Sequence, residues 1–296
     1  MKFFKGATRT SPAYWQAVSW LLLSCVAFAT LWVAIRFGSK TIHPFALVFY
    51  RNLGGCILVL PWILASRGRI LKTRNLKSHT YRATSGTIAT FTTFYAIAHA
   101  PIATVLSITY AAPLIASAFS VLFLSERMNR PQVLTLFLGF LGVLIVLRPS
   151  QLPFDLGVAS AVIAAVFTAF SLLFIKALTY SEDTFALVIW SYLLMLPPSF
   201  LFALPFIEFL DPKSLPPIAA ISVLALIGQL GTANAFKRAP ASEVMPYDFV
   251  RFCLVILYGW LILGEKIDWM TAIGSFLILG SIIYLVRSQA NRMRMR

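Results

Sequence analysis

Along this chain, polar residues come as short interruptions between long apolar runs. The runs are roughly 18–25 residues long, the length of helix that crosses the hydrocarbon core of a bilayer. They place ten helices at 14–36, 43–65, 80–99, 102–124, 131–148, 154–178, 183–207, 215–235, 242–263 and 267–287. Strands of a membrane barrel are near ten residues and alternate apolar with polar positions, and these runs do neither. A helix satisfies its own backbone inside lipid, so the expected fold class is all-α membrane, a bundle of ten transmembrane helices. Lys2, Lys5 and Arg9 ahead of the first run, with Ala27-Phe28-Ala29 inside it, resemble a secretory leader. That run continues to Ile35 and has a mid-chain counterpart, so it is expected to be a retained helix.

The same plan occurs twice. Moving residues 152–290 back by 140 positions lays Val166, Ala169, Ile175 and Lys176 on Val26, Ala29, Ile35 and Arg36. The stretch Phe185-Ala186-Leu187-Val188 falls on Phe45-Ala46-Leu47-Val48. With a shift of 139, Thr232 meets Thr93, Ala239-Pro240 meets Ala100-Pro101, Val244 meets Val105 and Glu265 meets Glu126. After one more single-residue gap, Gly280 meets Gly142. Residues 1–150 and 151–296 are therefore expected to be two repeats of one membrane unit. An odd number of helices per repeat makes the halves run in opposite directions across the bilayer. Such inverted repeats characterise secondary transporters, whose substrate site forms between them near the midplane.

Composition agrees with this frame. The chain is 59% hydrophobic and 12% charged, where soluble proteins are about 25% charged. A net charge of +15 invites a nucleic-acid reading, but the basic residues sit in short connections and at the ends, so no nucleic-acid partner is expected. With both termini in the cytoplasm, 18 of the 25 Lys and Arg fall on that side, including Arg67, Arg69, Lys72, Arg74, Lys77 and Arg82 between the second and third helices, and Lys176. Five, among them Arg36, fall opposite, which makes the expected location a cytoplasmic or inner membrane. Trp15, Trp62 and Trp269 fall near interfaces, as anchoring aromatics do.

Ala100-Pro101-Ile102 and Ala239-Pro240-Ala241 open the fourth and ninth helices, and Glu126 and Glu265 close them. With the two repeats, these features make the chain resemble the drug/metabolite transporter superfamily in its EamA-type branch of ten-helix carriers. The stretch Met245-Pro246-Tyr247-Asp248-Phe249-Val250-Arg251 also resembles a segment of organic-cation, S-adenosylmethionine and vitamin carriers of that branch. The resemblance implies solute transport without ATP. It leaves the substrate open among amino acids, nucleosides, vitamins and metabolite conjugates.

Candidate site residues are those too polar for lipid. Arg51 lies a third of the way into the second helix, where a charge costs roughly 2.5–3.5 kcal/mol and must face protein or water. It reads either as a contact for a carboxylate or phosphate or as a packing arginine bonded to carbonyls. Asp248 and Arg251 are three apart on one helical face and are able to pair. Asp248 reads as a proton-coupling group tuned by Arg251, or as half of a neutral pair. If the pair cancels, Arg51 leaves net positive charge that favours anionic solutes; a free Asp248 favours cationic or zwitterionic ones. Glu243, nearer the helix end, is expected to be solvated. The third helix places Gly86, Thr90, Thr93 and Ile97 on one face, and the eighth offers Gln229, Thr232 and Asn234. The repeat alignment sets Gln229 against Thr90 and Asn234 against Tyr95. Tyr110, Tyr247, Trp32 and Trp190 are aromatics for stacking on a flat solute or for packing. Pro113 and Pro246 are expected to loosen their helices. Gly139 with Gly142, and Gly274 with Gly280, would let the fifth and tenth helices approach their neighbours.

Cys25, Cys56 and Cys253 fall in apolar spans, and His43, His79 and His99 at span ends, without ligand spacing, so neither metal nor cofactor is expected. The expected protein is a monomeric or homodimeric carrier of a small polar or amphipathic solute, with proton coupling and passive exchange both open. Two other readings compete. A membrane enzyme on lipid or isoprenoid phosphates would use Arg51 and the basic loop but needs clustered carboxylates. A lipid-scrambling or structural membrane protein would not need polar faces in both repeats.

Overall fold

The computed structural model describes residues 12–126, 128–147, 155–207, 211–264 and 268–294, and among these every regular element is helical. Lys2, Lys5, Arg9, Arg127, Arg148, Glu265, Lys266 and Arg296 lie outside the described residues. The first half holds α1 (Pro12–Gly38), α2 (Pro44–Ala65), α3 (Leu76–His99), α4 (Ile102–Thr109), α5 (Ala111–Leu124) and α6 (Arg130–Leu147). The second holds α7 (Leu156–Leu178), α8 (Thr184–Ala203), α9 (Leu215–Arg238), α10 (Ala241–Val244), α11 (Phe249–Leu263) and α12 (Trp269–Arg294). Among the described residues, seven spans are long and apolar enough to cross a membrane. α3 has the length, but its threonines, serines and basic residues keep its hydropathy low.

Two expected helices are broken rather than continuous, and proline chemistry explains both breaks. Pro113 cannot donate to the Thr109 carbonyl, and α4 ends at Thr109 with Tyr110 between it and α5. Pro246 cannot donate to the Ser242 carbonyl, and a 3-10 turn over Met245–Asp248 separates α10 from α11. The hydroxyl of Tyr110 donates to the Asp248 carbonyl at 2.9 Å, so the two breaks meet inside the bundle.

Packing is symmetric under exchange of the halves. α1 packs on α9 as α7 packs on α3; α11 packs on α1 as α5 packs on α7; α2 packs on α9 as α8 packs on α3. α2 meets α8, and α6 meets α12, each facing its own counterpart. The symmetry reaches single bonds. Arg36 donates to the carbonyls of Ile97 (2.6 Å), Ala98 (3.3 Å) and Ala100 (3.4 Å) at the C-terminal end of α3. Lys176 donates to Phe236 (2.7 Å) and Ala239 (3.0 Å) at the end of α9, 139 positions beyond Ile97 and Ala100. A cation on the last carbonyls of a helix complements its dipole. Both cations therefore terminate helices; Lys176, fully buried, is no cytoplasmic surface charge as the sequence reading had it.

The interior is close-packed around Tyr14, Leu21, Ile97, Tyr192, Phe236 and Phe252, whereas Leu64, Leu122, Phe123 and Phe276 project outward. Such broad apolar exposure is what a bilayer covers. The glycine expectation holds for Gly142 and Gly274, whose backbones meet: a Cβ on Gly142 would lie 2.7 Å from the Gly274 oxygen. Gly139 faces the Phe249 ring, and Gly280 has open space instead of a close neighbour.

Candidate functional site

A cavity of about 190 Å³ lies between the halves, and equivalent positions of both line it. Phe28, Leu31, Trp32 and Ile35 of α1 are matched by Thr168, Ser171, Leu172 and Ile175 of α7, each 140 positions later. Thr90 and Thr93 of α3 are matched by Gln229 and Thr232 of α9, 139 later. Arg51 on α2 corresponds to Ser191 on α8; Thr109 and Ala112 correspond to Asp248 and Arg251. The duplicated backbone thus builds a symmetric chamber, while its charges are unequally distributed between the halves.

Asp248 ends the 3-10 turn and forms an ion pair with Arg251, three residues on. The Arg251 Nε donates to the Tyr110 hydroxyl at 3.2 Å, and its guanidinium lies over Phe28, 5.3 Å from the ring centre. The Cys25 thiol approaches the same carboxylate at 3.7 Å. Opposite in character is the group around Arg51 and Arg82. Arg51 is 6% exposed, donates to the Asn52 side chain at 2.8 Å, and lies over Tyr192. Arg82 is 3% exposed and donates to the Ser191 hydroxyl and, at 2.9 Å, to the Gln229 Oε1.

Eight of the expected residues line this one cavity: Arg51, Thr90, Thr93, Tyr110, Gln229, Arg251, Trp32 and Asp248. Three do not. Tyr95 lies two residues, about 200° of helix, beyond Thr93. It stacks on His99 and lines a separate open groove with Phe45, Phe91 and Leu156. Asn234 is five residues from Gln229, and its amide is consumed by Leu230 (2.9 Å) and Arg238 (2.7 Å). Tyr247 is buried against α1, where its hydroxyl accepts from Tyr14 at 3.2 Å. Trp190 packs against His79.

Arg82 corrects the sequence reading most. The sequence places it with the basic connection, but it sits in the second turn of α3 and lines the cavity. Glu243, expected to be solvated, is 7% exposed in the first turn of α10. Glu126 accepts from the amides of Ala241 (3.1 Å) and Ser242 (2.9 Å) and lies 3.7 Å from Lys176, so it joins the end of α5 to the start of α10. Among the described residues, no three His, Cys, Asp or Glu side chains are grouped as a metal site requires.

The sequence pattern of the EamA-like transporter family matches at 15–148 and again at 155–287. The chain belongs to that family. A riboflavin transporter of Brucella anthropi is 24% identical over 93% of this chain and 99% of its own length. A pseudopaline exporter of Pseudomonas aeruginosa is 27% identical over 90% and 95%. An S-adenosylmethionine uptake transporter of Rickettsia conorii is 23% identical over 95% of both chains. One crystal structure superposes over 92% of this chain and 98% of its own with a TM-score of 0.74, at 19% identity, and so shares the fold. In this EamA-family chain, the chamber offers an apolar wall from α1, hydroxyls and an amide from α3, α7 and α9, and, among the described residues, three guanidiniums against one carboxylate.

Proposed function

We propose that this protein is a secondary carrier for a small polar or amphipathic metabolite, working by alternating access. In this reading ten helices span the membrane as two inverted five-helix repeats, with both termini in the cytoplasm. One observation carries it: equivalent positions of the two halves line one chamber and supply its polar groups. A rocking motion of one half against the other would then expose the chamber to each side in turn, driven by whichever state binds solute better. The broken helices at Tyr110 and Met245–Asp248 support this, since transporters place unwound backbone at their sites.

Within that reading, Arg51, Thr90, Thr93, Gln229 and Tyr110 contact the solute, Trp32 supplies apolar surface, and Arg251 holds Asp248. Tyr95, Asn234 and Tyr247 act as packing residues. Among the described residues, Asp248 is the one cavity carboxylate through which proton coupling could run, and its pairing with Arg251 favours passive exchange or a substrate-linked cycle instead.

The test is counterflow in proteoliposomes preloaded with unlabelled amino acids, vitamins, nucleosides and organic acids in separate pools. A carrier gives saturable uptake that is accelerated by the same solute inside. Linear flux, or none across all pools, overturns the reading. Asp248→Asn with and without a pH gradient decides the coupling: intact gradient-driven uptake removes Asp248 from any proton path.

A further inference from the structure

Resting on the carrier reading, we infer that Arg51 and Arg82 form an oxyanion subsite, and that the solute carries a phosphate monoester or dicarboxylate head group. Neither guanidinium has a carboxylate partner among the described residues; the ion pair at the cavity is taken by Asp248 and Arg251. Two uncompensated cations in a low-dielectric interior are costly unless an anion arrives to meet them.

The hydrogen-bond count points the same way. Arg82 uses two donors on Ser191 and Gln229, and its Nε–H, buried, has no acceptor. The Nε–H of Arg51 is likewise buried and unaccepted. Arginine only donates, so the short contact from Arg82 fixes the Gln229 oxygen toward it and turns the Nε2 amide away. That amide is also buried without an acceptor. Three buried donors and two positive charges therefore belong to residues lining one chamber, and the neutral hydroxyl of Tyr192 beside them, itself buried without a partner, brings no negative charge to meet them. Guanidinium forks match carboxylate and phosphate oxygens in geometry.

A purely structural role explains less. Arg82 does tie α3 to α8 and α9, but among the described residues Arg51 hydrogen-bonds only its neighbour Asn52 and reaches another helix only by lying over the Tyr192 ring. Asymmetry between the halves adds to this: Arg51 stands where the other half has Ser191, so no packing need common to the repeats requires it. The wall formed by Phe28, Leu31 and Trp32 would take the apolar remainder of the solute.

The experiment measures binding to the purified full chain in detergent, by titration calorimetry and thermal shift. The probes are inorganic phosphate, succinate and choline at constant ionic strength, with wild type, R51Q, R82Q and the charge-keeping R51K and R82K. The expected result is saturable binding of phosphate or succinate and none of choline; which of the two binds separates phosphate ester from dicarboxylate. Each glutamine variant should weaken that binding roughly ten- to a hundredfold, and the lysine variants less. Choline binding as tight as the anions, or anion binding unmoved in folded R51Q and R82Q, overturns the inference. If the variants do not fold, the wild-type preference between anion and cation decides it alone. Anion binding without counterflow would sink the carrier reading and leave the subsite; counterflow of cationic solutes only would do the reverse.

Discussion

Asp248 and Arg251 are each affordable in a membrane interior only because of the other. Removing the carboxylate by Asp248→Asn strands a half-buried guanidinium whose remaining hydrogen-bond partner is the Tyr110 hydroxyl. Breaking a fully buried pair costs roughly 3–5 kcal/mol and this half-buried one correspondingly less, whereas removing both charges costs less still. Thermal unfolding should therefore show D248N well below wild type and D248N/R251Q recovering most of the loss; an unshifted D248N would mean the pair is solvated. A second residue is strained by its backbone. Ser125 ends α5 at φ 55°, and at the equivalent place Gly264 ends α11 at φ 69°. Glycine adopts this left-handed conformation freely and serine does not, so Ser125→Gly should stabilise by about 1 kcal/mol and Gly264→Ser should destabilise by as much. Equal melting of both variants with wild type would remove that account. At this scale the sequence was legible where helical spacing alone decides direction. Gly86, Thr90 and Thr93 share a face, and the same face extended one turn back passes through Arg82. Arg82 was hidden by its neighbours Lys72, Arg74 and Lys77, which make it look like a loop charge. Tyr95 and Asn234 misled because polarity at equivalent positions marks shared structure as readily as a shared cavity, and both sit off the cavity face.

Helices α6 and α12 form a pair whose closeness is set by two glycines, each of which also receives a side chain of the other helix, Ile278 against Gly142 and Val146 against Gly274. A Cβ on Gly274 would lie 2.5 Å from the Gly142 carbonyl oxygen, and backbone cannot yield as a side-chain tip does. Without a hydrophobic driving force in lipid, such small-residue contact is what holds helices together. Gly142→Val and Gly274→Val should each cost roughly 1–3 kcal/mol or separate the pair, read as lower melting temperature and altered detergent-resistant mobility. Gly280→Ala, with nothing within 4 Å, should be silent. The repeat alignment makes Gly280 the equivalent of Gly142, whereas the contact of Gly142 is with Gly274, as happens where two exchange-related helices touch away from the exchange axis. Element boundaries were otherwise readable from apolar runs, since lipid requires long uninterrupted helices. The breaks at Pro113 and Pro246 were expected as kinks. Their depth was not: α4 separates from α5, and α10 from α11, where Tyr110 and Asp248 are joined across the bundle, a long-range bond that local sequence does not display.

At the level of the whole molecule, exchange symmetry constrains how the chain crosses the membrane. Arg36 and Lys176 cap equivalent helix ends, α3 and α9, from equivalent places on α1 and α7. If the halves are inverted, these two capped ends belong to opposite faces of the bilayer, and so do the turns at 39–43 and 179–183 that follow α1 and α7. Reporters inserted after Lys40 and after Tyr180, 140 positions apart, should then give opposite signals, with the one after Tyr180 cytoplasmic. Removing Arg82 and Lys176 from the surface charge leaves the basic bias on the same side, because the connection around Arg67–Lys77 and the C-terminal arginines still carry it. The cytoplasmic end of this arrangement is also where the halves are tied by hydrogen bonds: Glu126 to Ala241 and Ser242, and Glu182 to Thr73 (2.6 Å) and Asn75 (3.2 Å). A carrier that rocks must break those ties to open inward. Glu126→Ala should shift the population toward the inward-open state by about tenfold, the weight of a charge-assisted bond. In a background lacking Cys25, Cys56 and Cys253, a cysteine at Thr232 should react correspondingly faster with an impermeant thiol reagent applied to inside-out vesicles. An unchanged rate there, with reporters at Lys40 and Tyr180 on one side, would leave the chamber without a way to face both sides in turn.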